Sequence, residues 1–220
     1  SRVVNGSTTV DPALREVVTR AVEDLDYVPN AAARALMTRR TDTVTLVAAE
    51  SDDRVFGDPF FAQIVRGVSH ELSHAGVQLS LSMTQSDDQI SSLSRYLAGG
   101  HTDGVLLISE HGGHRLAEKL VEGGIPVVIG GRPLDPRVEV PYVDNDNVEG
   151  GRLAAQHLRQ RGRRRIATIA GPADMSAGRD RLEGFRQGMG PDFRKTLVEF
   201  GNFTTQSGEQ AAARLFDRAP

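Results

Sequence analysis

The 220-residue chain contains no cysteine. That removes disulfides, thiol nucleophiles and cysteine-based metal sites, and it fits a reducing compartment. No apolar run approaches the roughly 20 residues that a membrane helix needs, and no charged-then-apolar leader opens the chain. The sequence therefore reads as soluble and cytoplasmic. Neither sign of charge dominates: 26 basic residues against 29 acidic ones give a net charge of -3, so the chain as a whole demands no oppositely charged partner. Lysine is nearly missing, with only Lys119 and Lys195, a bias without a functional reading. Internal repeats and low-complexity tracts are absent. So are the phosphate loop G-x-x-x-x-G-K-S/T, the G-x-S-x-G elbow, a dinucleotide glycine fingerprint and H-E-x-x-H, which leaves no motif for catalysis and no expected cofactor. What remains is an apolar content of 39%, enough for a packed core.

The apolar residues are arranged in two ways. "VDPALREVVTRAVEDLDYVP" spaces Leu14, Val17, Val18, Ala21, Val22 and Leu25 at three and four residues, which predicts one amphipathic helix. Asp11 stands at its N-cap, Pro12 at its first position, and Pro29 ends it. From Thr43 onward short apolar runs alternate with helical stretches. "TVTLVAA", "VQLSLSM", "GVLLIS", "IPVVIGG" and "RIATIAG" predict strands. Four helical stretches lie between them, several closed by glycine. Strands apolar on both faces belong in a parallel sheet covered by helices. The expected fold is thus an α/β, doubly wound parallel sheet preceded by a small helical unit, with ligands bound beyond the carboxyl ends of the strands.

Between these parts lies "YVPNAAARALMTRR". It is helix-competent but shorter than an isolated helix needs to persist in water. It carries one large aliphatic residue, Leu36, among alanines and arginines. The stretch from "SRVVNG" through "YVPNAAARAL" resembles the start of lactose-repressor-type (LacI/GalR) transcription regulators. A recognition helix there ends in S-R-V-x-N, a third helix closes on Y-x-P-N, and a hinge helix carries A-R-x-L. "DNVEGGRLAAQHL", "RRRIATIAGP" and "RDRLEGF" resemble the effector domain of the same family, so the similarity runs through essentially all 220 residues.

The resemblance implies four segments. Residues 1–29 are the remnant of a helix-turn-helix headpiece, 30–42 a hinge helix, 43–162 the N-terminal lobe of a periplasmic-binding-protein-like effector domain, and 163–220 the start of its C-terminal lobe. Both ends read as cut, so these residues alone are expected to bind neither operator nor effector normally. Implied DNA contacts are Arg2 and Asn5 at the end of the recognition helix, Thr9 and Asp11 by the next helix, and Asn30, Ala33, Arg34 and Leu36 in the hinge. Leu36 is the wedge that enters the minor groove between base pairs. The arginines meet phosphates, and the segment orders when DNA and a second subunit supply the free energy. An ordinary linker helix is the alternative for this stretch, and a plain N-cap is the alternative for Asp11. Residues 1–42 hold six basic and six acidic side chains, so this piece has no net positive field.

For the effector, the resemblance implies Phe60 toward the cleft with Phe61 in the core, Asp146 accepting from sugar hydroxyls, and Arg181 reaching into the cleft. Ser109 and Arg132 follow the third and fourth strands. A helix N-cap is the alternative for Asp146, and a solvated surface position is the reading for Arg179. "VDNDNVEGG" fails as a calcium loop, because Glu149 stands where glycine is required. "EHGGH", with His111 and His114, reads as a surface loop rather than a metal site. "RQRGRRRI" reads as a helix C-terminus. The implied function is a DNA-binding regulator, a repressor controlled by a small sugar or related metabolite, acting as a homodimer or dimer of dimers. The alternative is a periplasmic-type sugar-binding protein without DNA binding.

Overall fold

The computed structural model describes residues 3, 9–27, 35, 37–38, 40–112 and 115–218. Arg2, Asn5, Asn30, Ala33, Arg34 and Leu36 lie outside the described residues. Helix α1 (Pro12–Asp24) begins where the Asp11 carboxylate accepts from the amides of Ala13 at 2.9 Å and Leu14 at 3.3 Å. Pro12 sits in the first turn, where a missing N–H is no loss. No residue of α1 is buried, and Leu14 and Val17 of its apolar stripe stay 55% and 65% exposed. Among the described residues no helix is long and apolar enough to cross a membrane.

Strands β1 (Thr43–Ala48), β2 (Gln78–Met83), β3 (Gly104–Ile108), β4 (Val127–Gly130) and β5 (Tyr142–Val143) form one parallel sheet in the order β2-β1-β3-β4-β5. Successive side chains point to opposite faces, and the packing follows that alternation. Leu46, Ala48 and Ile108 meet Val55 of α2 (Asp52–Gly57) and Phe61 of α3 (Pro59–His74) on one face. Val47, Leu107 and Ile129 meet Ile90 of α4 (Asp87–Tyr96) and Leu116 and Leu120 of α5 (Leu116–Glu122) on the other. Both faces are covered, as apolar strands require. The strand order reverses beside β1, which places a crevice at the carboxyl ends of β1 and β3.

The chain then builds a second packed unit from α6 (Asn147–Gln160), β6 (Thr168–Ala170), α7 (Ser176–Met189), β7 (Val198–Phe200) and α8 (Thr205–Arg218), with β6 and β7 parallel. Its core joins Ala155 of α6 to Ile166, Phe185 and Met189. Helix α6 therefore shares its core with this second unit. It packs on α7, with Ala155 against Phe185 and Met189. At its end Gly162 adopts φ 79°, and the amide of Arg163 reaches the Leu158 carbonyl at 3.1 Å, a left-handed helix stop.

One carboxylate ties the residues that precede β1 to the sheet. Asp103 accepts from the Thr41 amide at 2.6 Å, the Thr41 hydroxyl at 2.9 Å and the Asp42 amide at 2.9 Å. Asp42 itself sits at φ 50°, so the turn is held by these bonds against its own preference. Replacing Asp103 with alanine is expected to lower stability by about 2 kcal/mol in urea unfolding, and Asp103→Asn should recover part of that loss.

Candidate ligand-binding site

The carboxyl ends of the two sheets face a common cavity of about 960 Å³. Its walls are apolar at Ile64, Leu106 and Val128 and polar at Ser109, Arg132, Asn147 and Arg181. Polar groups set among apolar ones are what a small-molecule site needs to fix orientation. Four of the five residues expected here line it: Phe60, Ser109, Arg132 and Arg181. Phe60 remains 49% exposed while Phe61 is 1% exposed, and their rings meet edge to face at 5.3 Å. Asp146 behaves differently. Its carboxylate accepts from the Glu149 amide at 2.8 Å and caps α6, while Asp144, Asn145 and Asn147 are the residues of that loop on the cavity wall. Of the expected DNA contacts, Asp11 caps α1 and Thr9 stands in the turn before it.

The polar groups are held from both sides of the cavity. Arg132, which follows β4, makes a forked pair with Asp180 of α7, at 2.7 and 2.8 Å from Nη2 and 3.2 Å from Nε. The Asp180 carboxylate holds the guanidinium further into its charged form, against partial burial. Arg181 donates from Nε to Asn147 Oδ1 at 2.8 Å, and its guanidinium lies 5.5 Å from the Phe203 ring centre. Arg54 approaches the same ring at 5.3 Å. Phe203 adopts φ 65° and Ser109 φ 60°. Neither is glycine, and strained backbone of this kind persists where the surroundings dictate it. Sequence reasoning did not single out Phe203, Arg54 or Asn147. The clue was an aromatic residue in a polar, glycine-containing loop, "GNFTTQSG".

Beneath the cavity a buried carboxylate organises the first sheet's contribution. Glu50, 8% exposed, follows β1. It accepts from the Ser109 hydroxyl at 2.8 Å, faces His111 Nε2 at 3.2 Å and pairs with Arg54. His111 Nδ1 lies 2.7 Å from Asp174 Oδ2, and the Gly112 amide donates to the Asp174 carbonyl at 2.9 Å. His111, half-buried in the loop after β3, links Glu50 to the loop after β6. Its partner in the sequence reading, His114, lies outside the described residues. Among the described residues no three histidines or carboxylates group as metal ligands.

This link depends on pH. Burial pushes the Glu50 carboxyl up, but hydrogen bonds from His111 and Ser109 and the Arg54 charge outweigh it and leave its pKa below the ordinary 4.5. The hydrogen bond to Glu50 raises the His111 pKa above its ordinary 6.5, against burial and with Asp174 assisting. The His111 contribution is complete below 6.5 and is lost as pH rises through the raised value. The Glu50 contribution is complete above 4.5 and is lost as pH falls through the lowered one. The difference in unfolding free energy between the protein and its His111→Gln variant should thus be greatest between 4.5 and 6.5 and shrink on the alkaline side.

Comparison with known proteins places this architecture. Residues 41–220 match the family model described as periplasmic binding proteins and sugar binding domain of LacI family. The HTH-type transcriptional regulator CelR of Thermobifida fusca is 52% identical over 224 residues, covering 100% of this chain and 66% of that protein. The ribose operon repressor of Escherichia coli (strain K12) is 31% identical over 193 residues, covering 86% of this chain and 56% of its own length. A solved transcriptional regulator CelR–cellobiose complex superposes with a TM-score of 0.79 at 50% identity, covering 100% of this chain and 66% of that one. The lac repressor dimer bound to operator and the anti-inducer ONPF superposes at 0.80 with 21% identity, over 98% of this chain and 64% of that one, which supports the fold alone. The chain spans 66% of the length of CelR and 68% of that of the regulator MalR of Streptococcus pneumoniae. With a family model matched across both sheets and a half-identical regulator aligned from end to end, the chain belongs to the LacI family.

Proposed function

We propose that the chain is the ligand-responsive body of a DNA-binding transcriptional repressor whose effector is a small sugar. The observation that carries this reading is the set of two arginines, an amide and a strained aromatic ring assembled from both sheets around one cavity. Guanidinium forks pair with adjacent hydroxyls, and an aromatic face suits the apolar face of a pyranose ring. The two cross-cavity links, Arg132 to Asp180 and His111 to Asp174, support a cavity whose width is set by contacts that a ligand can join or replace. Ser109, Arg132 and Arg181, with Phe60 at the rim, are the proposed effector residues, and Asp146 supports them by fixing the loop it caps.

In this reading residues 1–29 belong to a helix-turn-helix headpiece, 30–42 to the hinge, and the two packed units to the lobes of the effector domain. Arg2, Asn5, Thr9 and Asp11 contact or position the major-groove side of the operator. Asn30, Ala33, Arg34 and Leu36 act in the minor groove as two subunits meet. The uncovered apolar stripe of α1 supports a headpiece that packs on further helices. The protein works in the cytoplasm as a dimer and regulates rather than catalyses. Ligand and DNA are coupled because each favours one arrangement of the two subunits.

The related CelR–cellobiose complex makes cellobiose the first ligand to test. In a thermal-shift screen of the full-length protein against mono- and disaccharides, cellobiose or a close analogue is expected to raise Tm in a saturable way. A screen in which no sugar stabilises the protein, while an unrelated metabolite does, would overturn the sugar assignment.

A further inference from the structure

We infer that His70 and His74, on the last turn of α3, chelate a divalent transition-metal ion through their two Nε2 atoms. The two residues stand four apart on one helix face, and their Nε2 atoms are 3.2 Å apart with ring centres 4.5 Å apart at 72°. That separation is the one a metal requires. With metal–nitrogen distances of about 2.05 Å, two ligands on a tetrahedral ion lie about 3.3 Å apart. Four-residue spacing on a helix is the spacing that brings two side chains to one point.

The carboxylate beside His70 points the same way. His70 Nδ1 lies 3.1 Å from Glu71 Oε1. A carboxylate there keeps the ring proton on Nδ1 and leaves the Nε2 lone pair outward, the arrangement by which carboxylates orient metal-binding histidines. Two Nε2 atoms at this distance need a positive centre between them. Without metal it is the Nε2 proton of His74, donated to His70. With metal, that proton moves to Nδ1 of His74 and the ion accepts both lone pairs. The position also suits a cation, because the last turn of a helix is the negative end of its dipole.

The chemistry selects the ion. Two imidazoles favour copper, nickel and zinc over magnesium and calcium, which take oxygen ligands. Among the described residues no third histidine or carboxylate completes a cluster, so water fills the other positions and the ion exchanges. His70 and Glu71 are 67% and 81% exposed, which leaves the pair open to solvent. This site is separate from the cavity and is independent of the sugar and DNA assignments.

Isothermal titration of Ni²⁺ into the untagged protein, with excess Mg²⁺ present, tests the inference. The expected result is one ion per chain, with affinity ordered Cu²⁺ above Ni²⁺ above Co²⁺. His70→Ala and His74→Ala should each lose tenfold or more, Glu71→Gln about tenfold, and His157→Ala nothing. Cu²⁺ bound to the unaltered protein should show two nitrogen ligands in its EPR spectrum, a readout that needs no variant. Absence of Ni²⁺ binding, affinity retained in the His70→Ala/His74→Ala double variant, or displacement by Mg²⁺ would each refute the site.

Discussion

Alanine at Gly184 or Gly151 will destabilise the second unit severely, while alanine at the neighbouring Gly150 will stabilise it. The reason is the contact between α6 and α7. A Cβ at Gly184 would lie 1.8 Å from the Val148 carbonyl oxygen and 2.9 Å from the Arg152 amide nitrogen. At Gly151 it would lie 2.2 Å from the Arg181 carbonyl oxygen, and at Gly188 2.5 Å from that of Arg152. All of these are backbone atoms, which cannot swing aside as a side chain can. The helices must separate, and strain of this kind costs about 3 kcal/mol. At Gly150 nothing lies within 4 Å, so alanine there gains helix propensity of roughly 1 kcal/mol. Urea unfolding of the three variants decides the matter. Equal midpoints for Gly150→Ala and Gly184→Ala would mean that the helices do not meet as described. The effect reaches the site as well, because α7 carries Arg181, which lines the cavity, and Asp180, which holds the lining residue Arg132.

Arg181→Ala in the full-length protein should weaken sugar binding about a hundredfold, the loss of one or two charge-assisted hydrogen bonds. The variant also leaves Asn147, 6% exposed, without the donor at its Oδ1, so a small loss of stability accompanies the loss of affinity. Arg181→Lys should recover little, since an ammonium cannot bond Asn147, lie over the Phe203 ring and reach a ligand together. Arg186→Ala, which breaks only an exposed pair with Glu183, should leave affinity unchanged. Titration calorimetry with the sugar identified by thermal shift gives the comparison. Equal affinities in Arg181→Ala and the unaltered protein would remove Arg181 from the site.

The inner strands β1 and β3 were legible because they are apolar on both faces. "TVTLVAA" and "GVLLIS" announce burial between two helical layers, and Leu46 and Val47 do pack on opposite sides. The strand β5 was not legible: it has two residues, Tyr142 and Val143, and both are exposed. The strand β7 has three, too few for a period to emerge. Helix α7 was hidden by the glycines that let it pack closely: Gly184 and Gly188 abut α6 and Gly178 abuts the loop after β6, and all three lower helix propensity. At the site, residues that follow a strand could be named from strand order alone, which is how Ser109 and Arg132 were found. Arg181 came through family resemblance. Phe203 reaches the cavity wall and Asp180 reaches Arg132 by contacts across tens of residues, which no local pattern encodes. Asp146 had one reading from family resemblance and one from local capping, and the hydrogen bond to the Glu149 amide matches the capping one.

The central claim is that a ligand in this cavity governs DNA binding. Fluorescence anisotropy of the full-length protein on DNA from its own promoter region, with and without saturating effector, tests it most directly. A coupling of ordinary size changes the affinity about fivefold or more, and Arg181→Ala should abolish that change while retaining DNA binding without effector. An affinity for DNA that is the same with and without bound effector would contradict the account.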